Sequence, residues 1–248
     1  MKILALETST EYCSVALWQS CAAGQGTAAG QDGVTTQHFE LVGQKHSELL
    51  IEMVASLLQE SGFKIGDMDG IAYGSGPGSF TGVRIACGAT QGLALGAGLN
   101  VSGICTLQAL AQGSGQPLVI AALDARMGEI YCAAYEKSGD DWVTVFEPCL
   151  CKPEEAPLVS GEGWFGAGSG FAAFAEALSS RYAGQLAGTD GAAVPQASFI
   201  AELGAAQFAR GLSVDAALAQ PFYLRDKVAF KTAEREQIAL EKSLLINK

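Results

Sequence analysis

The sequence predicts an α/β protein of two domains, and three observations carry that reading. Apolar, strand-like runs alternate with amphipathic helical stretches. A Gly-Ser-Gly-Gln-Pro segment, Gly113–Pro117, interrupts the alternation after a helix and before a strand. The chain on either side of it begins alike, with strands around a short polar turn, as a duplicated α/β unit would. The expected units are residues 1–112, residues 113–220 and a tail from 221 to 248, with no residue-level repeat to mark the duplication. At 248 residues, 49% apolar and 17% charged, the chain can bury a substantial core.

Lys2–Glu7, rich in Ile and Leu, reads as a buried strand; Thr8–Glu11 is a polar turn and Cys13–Trp18 the returning strand. Gln19–Gly33 has no periodicity and reads as a loop, with the next strand expected near Thr35–Leu41. Ser47 offers an N-cap to a helix in which Leu49, Leu50, Met53, Val54, Leu57 and Leu58 recur at the helical period, and Ser61-Gly62 ends it. A strand at Gly70–Gly74, a helix from Phe80 to about Gly96, a strand at Asn100–Ile104 and a helix from Thr106 complete the first unit. In the second, Leu118–Leu123 and Ile130–Glu136 pair around Asp124–Gly128, and Trp142–Glu147 follows across a Ser-Gly-Asp turn. Gly161–Gly170 reads as loop, Phe171–Leu178 and Phe199–Arg210 as helices, and Ala229–Leu245 carries helical propensity.

Fifteen Lys and Arg against 26 Asp and Glu leave a net charge of −11, the wrong sign for a surface that grips nucleic-acid phosphates. The one basic cluster, Arg225, Lys227, Lys231 and Arg235, is diluted by Asp226, Glu234 and Glu236. A nucleic-acid role is therefore expected only through a partner. The seven cysteines lack metal-type spacing: the closest pair, Cys149-Leu-Cys151, has a single residue between its members, so reduced, mostly buried thiols in a cytoplasmic protein are expected. The apolar run Ile3–Leu6 is too short for the core of a signal peptide. Ile85–Leu99 is broken by Gln91 and by glycines, which excludes a membrane span there.

The segment Gly74–Arg84 places three glycines and a proline between a strand and a helix. Free amides at that helix start could bind an anion, or the glycines could simply permit a tightly packed corner. It matches neither a Walker loop nor a dinucleotide fingerprint, and no nucleophile elbow occurs in the chain. His38 and His46 are the two histidines, eight residues apart and on different expected elements. Gly88, Gly92 and Gly96 recur every fourth residue, lining one helix face with small residues. That face would pack either on the domain's own sheet or against a partner.

Five segments resemble the TsaB (YeaZ) family: LALETSTEYCSVAL at Leu4–Leu17, KHSELL at Lys45–Leu50, YGSGPGSFTGVRIACGATQGLALG at Tyr73–Gly96, LDARMGEIY at Leu123–Tyr131 and QPFYLR at Gln220–Arg225. The resemblance implies the two-domain actin/Hsp70/sugar-kinase (ASKHA) fold. It also implies a non-catalytic scaffold that supports a TsaD-like catalytic subunit, with a TsaE-like ATPase and a supplier of threonylcarbamoyl-AMP, in threonylcarbamoylation of the tRNA adenosine next to the anticodon. On that resemblance the chain has no cofactor of its own, ATP and metal are held by partner subunits, tRNA is met only indirectly, and the chain forms a homodimer when alone. The related catalytic subunits hold a metal with two histidines four residues apart on one helix, a pattern missing here, so no metal ligand and no catalytic residue is assigned.

Carried over by position, the partner interface comprises His46, Leu49, Leu50, Met53, Val54 and Leu57 on one helix and Arg84, Gly88 and Gly92 on the other. Met53→Asp or Gly92→Leu is then expected to abolish partner binding in a folded chain. Glu7, Thr8, Ser9, Asp124 and Arg126, at the two matching turns, would frame a nucleotide cleft, working or vestigial. Two departures from the family stand out: the long Gln19–Gly33 loop, and Ser75 where an arginine is common. An ATP-binding phosphotransferase of the same fold and a peptidase, an activity once attributed to relatives, are the alternatives.

Overall fold

A computed structural model describes residues 1–21 and 33–225. Most of the Gln19–Gly33 loop, the tail from 226 and the basic positions Lys227, Lys231 and Arg235 lie outside the described residues.

The first sheet grows from the chain's opening hairpin. β1 (Lys2–Glu7), β2 (Tyr12–Ser20) and β3 (Gly33–Leu41) form an antiparallel meander. α1 (His46–Glu60) then leads to β4 (Gly70–Gly76), which pairs parallel with β1, and α2 (Phe80–Ala97) to β5 (Asn100–Cys105), parallel with β4. α3 (Thr106–Ser114) crosses to the second sheet, where β6 (Leu118–Asp124), β7 (Ile130–Ser138) and β8 (Asp141–Cys151) repeat the meander. β9 (Trp164–Ala167), α4 (Ser169–Ala173), α5 (Ala175–Arg181) and β10 (Leu186–Asp190) follow, and α6 (Ala197–Ala209) and β11 (Val214–Asp215) end the described regular structure. The orders β11-β5-β4-β1-β2-β3 and β10-β9-β6-β7-β8 share one plan: a meander whose first strand takes a parallel neighbour. The duplication invisible in residue identities is plain in topology.

Alternation along β1 decides what each face meets. Leu4 and Leu6 join the core under α1 and α2, whereas Ile3 and Ala5 pack with Ile200, Ala201 and Ala205 of α6. The division of the chain at 113–220 is corrected here. α6 lies on the first sheet and β11 pairs with β5, so residues 197–215 return to the first half. Small side chains allow it, because Gly204 sits so close to Ala72 of β4 that a Cβ would crowd it. The first N–H of α6 is satisfied by a strand, Ser14 Oγ accepting from Ala197 at 2.9 Å.

Several local expectations shift as well. Ser47 is not the cap of α1; the helix begins at His46 after Lys45, whose side chain makes no capping bond. Ser79 does cap α2, its Oγ accepting from Gly82 N–H at 3.3 Å, and Gly98 closes that helix at φ 68°. The expected loop 161–170 contains β9, and the expected helix 171–178 is two short helices broken at Phe174.

Candidate functional site

Two places concentrate the residues singled out by sequence. The first is a cleft of ≈ 1120 Å³ between the sheets. The β1–β2 turn, the start of α2, the β6–β7 turn and the segment Phe222–Arg225 enclose it. Ser9, Asp124 and Arg126 line it as expected. Glu7 and Thr8 do not; both are buried beneath it.

Their burial has a structural cause. The Thr8-Ser9 turn presses on the α2 start: Thr8 Oγ1 donates to Gly82 O at 2.7 Å and Ser79 N–H donates to Ser9 O at 2.7 Å. A Cβ at Gly82 would overlap the Thr8 carbonyl oxygen, and one at Gly78 would strike Ser9. Of the two readings of Gly74–Arg84, the packed corner is the one with geometry behind it, since the Ser79 and Gly82 amides are already engaged. Glu7 turns inward. One carboxyl oxygen accepts from Ser9 N–H at 2.5 Å and the other has no partner. Burial pushes its acid up to about 7, opposed by the hydrogen bond from Ser9. Gly74 makes room for it, as a Cβ there would overlap the carboxylate.

Across the cleft, Asp124 accepts from Arg126 twice, from the backbone N–H at 2.8 Å and the guanidinium at 2.9 Å. Arg126 and Met127 hold left-handed φ values of 62° and 59°. Arg225 reaches Glu129 at 2.5 Å, Phe222 N–H donates to Ser75 O at 2.7 Å, and Tyr73 Oη both donates to and accepts from the Gln220 backbone. The Gln220–Arg225 segment therefore straps the first sheet to the turn of the second. The cations on the cleft wall are spent on the protein's own carboxylates.

The second place is the outside of the α1–α2 layer, and here the expected interface is corrected. Leu50, Met53, Val54 and Leu57 are core residues, none more than 6% exposed, and Leu49 is half-buried against them. His46 is buried too; its Nε2 stands 3.1 Å from the Tyr12 carbonyl, an acceptor, so that nitrogen carries the proton. The reason is the width of the sheet. Two helices share one face, so the whole apolar stripe of α1 is consumed by β1, β2 and α2 and none remains for a partner. What α1 shows outward is Ile51, half exposed, among Glu48, Glu52 and Ala55.

On α2 the expected face is the outer one. Gly88, Gly92 and Gly96 are exposed, and a Cβ on any of them would meet nothing within 4 Å. Packing on the domain's own sheet does not explain these glycines. Arg84 heads the same ridge, its guanidinium 3.3 Å over the Phe80 ring and 4.6 Å from that of Tyr223. Leu95, 61% exposed, adds apolar surface near its end.

Sequence spacing missed one cluster: Cys132 joins Cys149 and Cys151 in space, on neighbouring strands. Pairing of Ile130–Glu136 with a longer third strand would have been the signal. That strand was expected to stop at Glu147 but runs on to Cys151.

Two α/β halves of one topology, facing each other across a cleft at their hairpin turns, define an ASKHA-type protein. A family described as "TsaD: tRNA N6-adenosine threonylcarbamoyltransferase" matches residues 34–231. The tRNA threonylcarbamoyladenosine biosynthesis protein TsaB of Escherichia coli (strain K12) is 39% identical over 241 residues, covering 93% of this chain and 97% of its own. The protein of the same name from Haemophilus influenzae is 34% identical over 244 residues, covering 93% and 96%. The solved structure of YeaZ from Pseudomonas aeruginosa superposes with a TM-score of 0.78 at 35% identity, over 90% of this chain and 99% of that one. The chain belongs to the TsaB (YeaZ) family.

Proposed function

We propose that this chain is the accessory subunit of the assembly that makes threonylcarbamoyladenosine in tRNA, and that it works by docking a TsaD-type catalytic subunit on the outer ridge of α2. Its end-to-end relatedness to proteins named for that biosynthesis carries the reading. The chain supplies no chemistry of its own in this account. Its two histidines are engaged within the protein, His38 with Glu60 at 2.9 Å and His46 with Tyr12, and they belong to different elements. The cleft's arginines face acids of the same chain, which leaves little to hold a triphosphate. ATP and the metal of the catalytic centre accordingly belong to the partners, a TsaE-like ATPase among them. The acidic charge of −11 keeps tRNA contact with those partners. When the catalytic subunit is missing, a second copy takes the ridge as a homodimer. A cytoplasmic setting suits this work, and no described helix is long and apolar enough to cross a membrane.

The test is reconstitution. tRNA threonylcarbamoylation is measured with the catalytic subunit, the ATPase and the threonylcarbamoyl-AMP supplier, with and without this chain. Modification should collapse on its omission and return when it is restored. Full activity without it, or micromolar ATP binding by the isolated chain in calorimetry, would favour the phosphotransferase instead.

A further inference from the structure

Cys132, Cys149 and Cys151 lie on the β7–β8 pair of the second sheet, and none of them lines the cleft. Cys132 and Cys149 are direct partners across the antiparallel ladder, and Cys151, two residues on, returns to the same face. The Cys132 sulfur is 3.5 Å from that of Cys149 and 3.6 Å from that of Cys151, and all three sulfurs lie within 4.8 Å of one another. Three sulfurs bound to one ion at a metal–sulfur distance of about 2.3 Å would be spaced about 3.8–4.0 Å apart. Movements of a few tenths of an ångström bring these three to that geometry.

The surroundings suit a soft ion. Cys132 is fully buried in a core of Ile130, Ala156, Leu178 and Tyr182, while Cys149 and Cys151 are half-buried at its rim and leave a way in. Among the described residues no histidine nitrogen or carboxylate oxygen joins the cluster. An all-sulfur set of three selects thiophilic ions that accept low coordination and rejects magnesium, calcium and manganese. We infer that these three cysteines form a binding site for a single thiophilic metal ion of the closed-shell class, monovalent copper in a three-sulfur set or zinc completed by a solvent ligand. Binding replaces each S–H bond with a metal–sulfur bond and releases the thiol protons to solvent, with no change in oxidation state.

The experiment uses the full chain, reduced and handled without oxygen. It is titrated separately with Cu(I) against a competing chelator and with Zn(II) against a chromophoric zinc chelator. Bound metal is counted after desalting, and X-ray absorption reports the sulfurs around it. About one ion per chain with three sulfur neighbours is expected, and the complete loss of that ion in Cys149→Ser/Cys151→Ser. Copper retained against the chelator while zinc is not identifies the three-sulfur copper site; zinc with an added oxygen neighbour identifies the zinc one. Circular dichroism checks the fold of the double variant. If that variant does not fold, Cys151→Ser alone should weaken binding roughly tenfold or more. No stoichiometric binding of either ion overturns the inference. So does binding that survives the double serine change but disappears in Cys21→Ser/Cys105→Ser.

Discussion

Gly82 and Gly92 lie ten residues apart on one helix, and their surroundings have nothing in common. Gly82 faces inward, where a Cβ would run into the Thr8 carbonyl; Gly92 faces outward, where a Cβ would touch nothing. The fold demands the first glycine. It does not demand the second, nor Gly88 and Gly96 beside it, although each costs an isolated helix about 1 kcal/mol against alanine. Such glycines weaken a monomer and relieve no crowding in it, and the proposed docking of a catalytic subunit along this ridge would account for them. The α1–α2 layer thus has an inner side committed to its own sheet and an outer side that the proposed function gives to a partner.

The largest effect expected from this contrast is on the inner side. Met53→Asp puts a carboxylate among Leu50, Leu57 and the first sheet, and should destabilise by on the order of 4 kcal/mol in denaturant unfolding. Because Met53 is a core residue, Met53→Asp unfolds the chain and does not give the folded, binding-deficient chain that the sequence predicts. A well-folded Met53→Asp would mean that the two sides have been confused.

Glu7 gives the next effect. Its acid is pushed from 4.5 up to about 7, so between those values the folded chain holds a proton that the unfolded chain has released. Stability from this group is therefore fully present below about pH 4.5, falls as pH rises toward 7 and levels off above, by roughly 3 kcal/mol at most. Glu7→Gln should remove that slope from a series of urea melts between pH 4.5 and 8. An unchanged slope would assign it to other groups. Gly82→Ala, a single methyl against the Thr8 backbone, should cost about 1–3 kcal/mol. Gly92→Leu should be the mildest, raising the melting temperature slightly through a helix gain of somewhat under 1 kcal/mol, about the Gly–Ala difference.

Much of this architecture can be read from the chain because its signals are local. The period of α1, the strand–Gly–Pro–helix corner before α2 and the paired strands around Asp124 each specify their element within a dozen or so residues. What escaped is what depends on which faces meet. The stripe Leu49–Leu58 looks broad enough for a core and an interface, and only the neighbouring α2 shows that the core takes all of it. α6 reads as a helix of the second unit because it follows it in sequence, yet Gly204 and Ala201 fit it to β1 and β4. Glu7 looks like a cleft residue by its place in the turn, and the side-chain alternation of β1 turns it inward. The three cysteines needed the register of β7 on β8, which no spacing rule supplies.

The central claim is that the outer ridge of α2 exists for a partner, and Gly92→Leu tests it most directly. The variant and the parent chain are each mixed with the TsaD-type catalytic subunit and sized by chromatography with light scattering, with melting temperatures recorded for both. The expected result is a variant at least as stable as the parent that forms no complex, while the parent forms one. A variant that binds the catalytic subunit as tightly as the parent would contradict the account and leave the exposed glycines without a reason.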